Sequence, residues 1–425
     1  MDLKARNLEK RLTIHHIGGR NGSFGTYVPP DFLKETVLVM YDADQDSIEY
    51  TKERVESVFA ESIVLPYCMG GKNGKASFHI NKDPFTSSNI PTNDEFKDYY
   101  CFSHNHDYVW GEGSECQEVR DLEVITLDTL MSKDDTNIPK PDLLTLDTQG
   151  SEYEILQGAE GLLNSNVLAV RCEVEFFPLY KDQKLFSDIF NLLSSHNFQF
   201  VEFTHLGKLS PFRGPVNIRG KSFTAFGDAL FFKNFSQLKE SIQDPNELYI
   251  AAHKLSLIAV LYGQIEFAID ILNQVELLNY DEKSTAEFRE QKCFAFLGKL
   301  QKCVNQMDHF YPKSFSETVV APPKEKKNPF SHSEPVPTFK KRVKNAMKKH
   351  RSILNVARFV LNFSRKVKHS IFRLTRIRFL AFSPFEKIFI EYGLLETAKI
   401  IRQNRMNQQI YASKKSKPPQ ETSLK

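Results

Sequence analysis

From Leu12 to Lys233, short apolar runs of strand length alternate with longer stretches of helical period. That alternation restricts the chain to a mainly parallel sheet flanked by helices. Strands are expected at Leu12 to Ile17, Thr36 to Tyr41, Ser62 to Pro66, Asp142 to Leu146, Val167 to Val174, Gln199 to Phe203 and Asp228 to Lys233. Helices are expected after Asp46, Ser151 and Asp182, with a further one after Ser23 that Pro29 and Pro30 shorten, since proline cannot donate within a helix interior. Gly70 to Asp121 breaks the pattern: a GGKNG turn, a strand at Ala76 to Ile80 and a polar stretch around Trp110 predict an inserted hairpin and loop that covers a pocket.

After Asp244 the chain reads as helical, with a helical hairpin over Glu247 to Gln274 and Ser284 to Met307. Pro322, Pro323, Pro329, Pro335 and Pro337 then mark a linker. The expected organisation is an α/β domain at 1–240, a helical hairpin region at 241–312, a Pro/Lys-rich linker at 313–340 and a basic amphipathic helical C-terminal region at 341–425. A faint repeat joins two of these, because Tyr262-Gly263, Glu266, Ala268, Ile271 recurs as Tyr392-Gly393, Glu396, Ala398, Ile401.

The net charge of +3 conceals a split. Lys324 to Arg378 holds 17 Lys/Arg against Glu325 and Glu334, or +15, which leaves −12 for the rest. Within 340–382, Val360, Phe363, Val367, Ile371 and Leu374 recur at helical spacing while Arg358, Arg365, Lys366, Lys368, Arg373 and Arg376 largely take other faces, the outline of a helix that docks on anionic lipid. Nucleic acid is disfavoured as its partner, because base-stacking and base-reading chemistry is sparse there. No stretch has the roughly 18 uncharged apolar residues of a spanning helix, and the N-terminus has no apolar leader. Cys68, Cys101, Cys116, Cys172, Cys293 and Cys303 lack C-x-x-C spacing, as expected of reduced thiols and not of a zinc site. A cytoplasmic protein is expected, with peripheral contact at the inner face of the membrane.

The first strand runs into Gly18-Gly19-Arg20-Asn21-Gly22, where absent side chains let backbone approach a ligand. The second ends at Asp42, placed to accept bonds from ribose hydroxyls. A dinucleotide-binding domain shows the same pair, but Arg20 stands where G-x-G-x-x-G has its second glycine, which favours a nucleoside without phosphates.

Four later segments carry a family resemblance. Pro141-Asp142-Leu143-Leu144-Thr145-Leu146-Asp147-Thr148-Gln149-Gly150-Ser151-Glu152, continued by Ile155-Leu156-Gln157-Gly158-Ala159, resembles the DxxKxDxEGxExxxLxGA signature of FkbM-type methyltransferases. Val124 to Leu130 resembles that family's v-x-t-L-D-x-L element, Cys172 to Tyr180 its E-V-x-F-x-P-L-Y stretch, and Asp228 to Phe232 its last strand. The resemblance implies a Rossmann-like class I methyltransferase domain, a seven-stranded mostly parallel sheet with a reversed last strand, followed by an α-helical C-terminal region. It also implies S-adenosyl-L-methionine as donor and a hydroxyl acceptor on a sugar or polyketide-like molecule. Gly18, Gly19 and Gly22 fall on the family's glycine loop, Asp42 on its ribose-binding acid and Asp147 beside the methyl group. Three positions depart from the pattern: His16 for Asp, Arg20 for Asn and Gln149 for Glu.

Methyl transfer needs alignment above all, and a sugar hydroxyl must also lose its proton to a nearby base. Asp147 and Glu173, at strand tips, are the catalytic candidates, with His79, His104 and His106 behind them; no metal is demanded. The resulting expectation is an S-adenosylmethionine-dependent O-methyltransferase acting on a sugar hydroxyl or glycolipid-linked acceptor in surface-glycan biosynthesis. The alternatives are a small-metabolite O-methyltransferase and a non-catalytic scaffold that works through its basic helical tail.

Overall fold

The computed structural model describes residues 10–18, 28–43, 45–102, 107–133, 137–211, 222–307, 384–395 and 397–403. Gly19 and Gly22, His104 and His106, the helix expected after Ser23 up to residue 27, the linker and the basic stretch 340–382 lie outside the described residues.

The first two strands, β1 (Leu12–Ile17) and β2 (Thr36–Tyr41), are buried at every position. A strand whose alternate residues are all buried needs cover on both faces of its sheet. They pair in parallel with each other, β2 with β3 (Glu61–Leu65), and β1 with the later strand that carries Leu143–Leu146. The insert adds β4 (Cys68–Met69), β5 (Gly74–Asn81), β6 (Tyr100–Phe102), β7 (Asp107–Val109) and β8 (Cys116–Ile125). The alternation then resumes with β9 (Leu143–Leu146), β10 (Ala169–Glu175), β11 (Phe198–Ser210) and β12 (Phe223–Lys233).

Among the described residues the main sheet has the order β3-β2-β1-β9-β10-β12-β11-β6-β7. The strand β12 runs antiparallel to both neighbours, which is the expected reversal of the last strand. Seven strands make up the expected sheet, and the insert extends it to nine by laying the short hairpin β6–β7 along β11. Three-residue strands are too short to show alternation and so carry no periodic signal. The rest of the insert forms a separate three-stranded sheet, β4-β8-β5.

One face of the main sheet is covered by α1 (Glu152–Gln157), α2 (Glu160–Ser165) and α3 (Phe186–Ser195), whose Ile155, Leu156, Leu162, Leu163, Ile189 and Leu193 join a core with Val37, Leu144, Val170 and Phe231. Helices beyond Asp244 contribute to the other. There α4 (Pro245–Leu261), α5 (Ile265–Val275), α6 (Glu282–Glu290) and α7 (Lys292–Asn305) replace the two long helices expected, because Tyr262-Gly263 and Gln291 end the helical runs. Phe267 of α5 stacks on Phe232 at 5.5 Å, and Lys254 of α4 pairs with Asp142 at the start of β9. Met1–Lys302 and Ile388–Ile400 accordingly belong to one compact unit, and the region drawn at 241–312 lies largely within it. Cys303–Lys387 and Ile401–Lys425 are assigned to a second.

The repeat is visible in the backbone. Gly263 and Gly393 have φ of 79° and 78°. Gly263 N–H donates to Val260 O at 2.9 Å and Gln264 N–H to Ala259 O at 2.8 Å; Gly393 and Leu394 make the equivalent bonds to Ile390 and Phe389 at 3.1 and 2.8 Å. Glycine is favoured at this left-handed helix stop, and buried Ala268 and Ala398 follow at the same distance. Among the described residues no helix is long and apolar enough to cross a membrane.

Candidate functional site

Because β1, β2 and β9 are parallel, their C-terminal ends open on one side of the sheet, where such folds hold ligands. A cavity of about 240 Å³ lies there, with Gly18, Asp42, Asp147 and Gln149 in its wall. The inserted region contributes Phe78, Pro84, Phe85, Ser87 and Asn89. Sequence reasoning anticipated cover from this region but singled out none of these five residues, since their only signal was a turn-rich break in the alternation.

Gly18 is required twice over. Its φ is +88°, a conformation that costs other residues about 1–2 kcal/mol, and a Cβ built on it would lie 2.0 Å from Asp147 O. The first strand therefore passes against the end of β9 with no room for a side chain, and Asp147 N–H returns a bond to Ile17 O at 3.0 Å. Asp42 sits one residue past the end of β2, its N–H held by Leu65 O at 3.2 Å.

Asp147 and Glu173 are brought together by Gln149. Its Nε2 donates to Asp147 Oδ1 at 2.8 Å and to Glu173 Oε2 at 2.6 Å, so a single amide spans both carboxyls. Gln149 is itself in the left-handed region at φ 61°, and the Tyr180 hydroxyl lies 3.1 Å from its Oε1 and 3.0 Å from Thr86 O. Enclosure by the fold raises the Asp147 pKa although the side chain is open to the cavity, and desolvation followed by the charge of Asp147 raises that of Glu173 well above the usual carboxylate range. Behind the pair, Arg171 holds Asp228 at 2.6 Å.

Glu152 has a supporting place. Its Oε1 accepts from Thr148 N–H and Oγ1 at 2.6 and 2.9 Å, and its Oε2 from Gly150 N–H at 2.9 Å. The carboxyl thus fixes the backbone that presents Gln149, and burial pushes its pKa up to about 7. Asp128 is also a backbone anchor: it accepts from Gly161 and Leu162 N–H at 2.7 and 3.1 Å, at the start of α2.

His16 faces away from the cavity. Its Nδ1 meets Thr145 Oγ1 at 2.7 Å inside the sheet, and burial pushes its pKa down to about 3. The adjacent His15 has a definable tautomer: Nε2 lies 2.8 Å from the carbonyl of Pro139 and must carry the proton, leaving Nδ1 to accept from Tyr41 Oη at 3.0 Å. Both rings are neutral members of the sheet. His79 lies on β5 with Cys116 Sγ 3.8 Å from its Nδ1, outside the cavity wall. All six cysteines are free.

The donor set suits S-adenosylmethionine. Gly18 leaves the backbone bare where a Cβ would block approach, and Asp42 and Asp147 bring carboxyl groups to the cavity wall, the chemistry that ribose hydroxyls and a cationic sulfur call for.

Residues 17–200 match the family model described as Methyltransferase FkbM domain. Similar solved structures include methyltransferase FkbM from Methylobacillus flagellatus KT, at 13% identity over 52% of this chain and 44% of that one, with a TM-score of 0.30. The chain therefore spans less than half the length of that protein. A TehB-like SAM-dependent methyltransferase from Corynebacterium glutamicum is 12% identical over 55% and 89% of the two chains, with a TM-score of 0.24. The N-methyltransferase NodS from Bradyrhizobium japonicum WM9 is 10% identical over 54% and 92%, with a TM-score of 0.24. No curated protein matches.

Proposed function

We propose, taking residues 17–200 as a methyltransferase FkbM domain and the chain as an S-adenosylmethionine-dependent methyltransferase, that it O-methylates a sugar hydroxyl in surface-glycan biosynthesis in the cytoplasm. The observation that carries the reading is the pair Asp147 and Glu173, clamped by the Gln149 amide, with Asp147 in the cavity wall and Glu173 directly behind it. A hydroxyl acceptor has to shed a proton as its oxygen attacks, and a carboxylate of raised pKa is a better acceptor for it than an ordinary one.

When bound, S-adenosylmethionine supplies an electrophilic methyl group on a cationic sulfur. The residues that would hold it are Gly18, by close backbone approach, and Asp42, by bonds to the ribose hydroxyls, with Gly19 and Gly22 assigned to the same loop. Glu173 or Asp147 takes the hydroxyl proton; Gln149 keeps the two in register, and positive charge nearby favours their ionised forms. The insert shields the reacting centre from water with Phe78 and Phe85. The +15 stretch from Lys324 to Arg378 supports docking on anionic lipid and hence a lipid-linked acceptor.

Calorimetric titration with S-adenosylhomocysteine, followed by transfer of a labelled methyl group to methyl glycosides, tests this reading. Micromolar binding lost in Asp42→Ala and label on a glycoside oxygen are expected. Binding without transfer to any glycoside would overturn the sugar assignment and leave the methyltransferase.

A further inference from the structure

The two ends of a side-chain amide have the same shape and opposite polarity, so which end Gln149 shows to Asp147 and Glu173 must be fixed by its other partners. Turned round, the amide would set its oxygen against two carboxyls that can only accept once ionised. The backbone does not decide the matter. Gln149 is in the left-handed region at φ 61°, which sets where the side chain starts and leaves its last torsion free.

The Tyr180 hydroxyl supplies the constraint. Its single proton has two acceptors within reach, Thr86 O at 3.0 Å and Gln149 Oε1 at 3.1 Å. Thr86 O already accepts from Asn81 Nδ2 at 2.6 Å, so the phenol proton goes to Gln149 Oε1 and turns the amide nitrogen toward the carboxyls. The hydroxyl is itself a fixed point: Tyr180 is fully buried and its ring meets Trp110 edge-on at 5.9 Å. Residues 178–181 are stitched to the insert by Asn93 Nδ2 to Pro178 O and Asn93 N–H to Leu179 O, both at 2.9 Å, and by Lys181 N–H to Pro91 O at 2.8 Å. Burial first, and then the acids around it, raise the Tyr180 pKa well above that of a free phenol, so the group stays a donor.

The groups facing the carboxyl pair are Arg171 and Glu175 of β10, Asp228 of β12 and Glu152 of α1, while Tyr108 of β7 faces the phenol. Arg171 is paired with Asp228 at 2.6 Å, and Glu152 and Glu175 are acids that oppose ionisation of the pair. The amide that donates to both Asp147 and Glu173 therefore carries much of the support for their charged forms.

We propose that Tyr180 is a positioning residue for methyl transfer: its hydroxyl locks the Gln149 amide with the nitrogen toward Asp147 and Glu173, and so keeps that pair ionised to take the acceptor's proton. This rests on the hydroxyl-acceptor reading above and deepens it. The insert thereby reaches the reacting groups without touching them.

The test compares full-length wild type, Tyr180→Phe, Gln149→Leu and the double variant. It uses labelled S-adenosylmethionine with methyl glycosides across pH, calorimetry with S-adenosylhomocysteine, and the side-chain carboxyl resonances of protein carrying 13C-labelled Asp and Glu. Loss of one hydrogen bond to a charged group is worth about one pH unit, so Tyr180→Phe should move the acid limb of kcat and the carboxyl titration up by about that much. On that limb kcat falls about tenfold, and it returns to the wild-type value at alkaline pH. S-adenosylhomocysteine affinity is expected to be unchanged, which shows the variant folded. Gln149→Leu should give at least the same shift, and the double variant no more than Gln149→Leu alone. A kcat lowered equally at every pH with the carboxyl titration unmoved would make Tyr180 merely structural and overturn the proposal. Shifts that add in the double variant would overturn its route through Gln149. Wild-type protein that methylates no glycoside would remove the sugar reading, and the carboxyl titration would still decide whether Tyr180 acts on the pair.

Discussion

Replacing Lys254 by methionine keeps most of the stem and removes the charge, in a place where the charge has little solvent to fall back on. Lys254 Nζ lies 2.9 and 3.0 Å from the two Asp142 oxygens, with side chains 7% and 12% exposed. The Asp142 pKa is raised, by desolvation, despite Lys254 and a bond from Thr13 N–H at 2.8 Å. The ionised carboxylate is thus held at net cost even when paired, and removing its cation strands it. Breaking such a pair from one side costs about 3–5 kcal/mol, and the surviving Thr13 bond places Lys254→Met near about 3 kcal/mol. With a urea dependence of about 3 kcal/mol/M, the unfolding midpoint falls by about 1 M. Because a raised acid contributes stability below its unfolded pKa and loses it as pH rises through the folded one, the deficit shrinks as the buffer is acidified. Asp142→Asn combined with Lys254→Met leaves an amide oxygen for Thr13 and no buried charge, and returns to within about 1 kcal/mol of wild type. A single variant that shifts the midpoint by less than about 0.3 M, or a double variant as unstable as the two singles added together, would refute the reasoning.

Gly18→Ala places a Cβ against Asp147 O and is expected to lose S-adenosylhomocysteine binding by calorimetry while costing about 2–5 kcal/mol from left-handed strain and overpacking together. Gly263→Ala and Gly393→Ala meet only open space or ordinary contact, so each should cost the left-handed strain alone, about 1–2 kcal/mol in urea, and unequal losses would argue against equivalent turns. His15 and His16, with folded pKa values near 3 against 6.5 unfolded, contribute stability present above pH 6.5 and lost as pH falls through 3, about 2 kcal/mol each by pH 5. Glu152, raised to about 7, works in the opposite sense, its contribution present below 4.5 and lost as pH rises through 7; Glu152→Gln should therefore lose stability more steeply than wild type between pH 7 and 5.

The strands were legible where burial on both faces wrote a continuous apolar run. Thr36–Tyr41 and Leu12–Ile17 fall where the pattern put them, although the second contains two histidines whose partners, Pro139 and Thr145, come from more than a hundred residues away. The reversed last strand came from resemblance and not from periodicity, which carries no direction. Gly18, Asp42 and Asp147 were visible as strand-tip residues and line the cavity, whereas Glu173, expected at a strand tip, lies inside β10 and off the cavity wall. What the sequence hid was the joinery. Gln149 looked like a substitution at a signature position, and its bridging of two carboxyls exists only because β10 lies beside β9.

The compact unit takes back its own chain: Ile388–Ile400 returns to it after the span Cys303–Lys387, with Phe296 of α7 against Phe389 and Tyr392 and Lys299 over the Tyr392 ring. A substitution at Phe296 therefore loosens two stretches of chain at once, α7 and the segment around Phe389 and Tyr392 that is far from it in sequence.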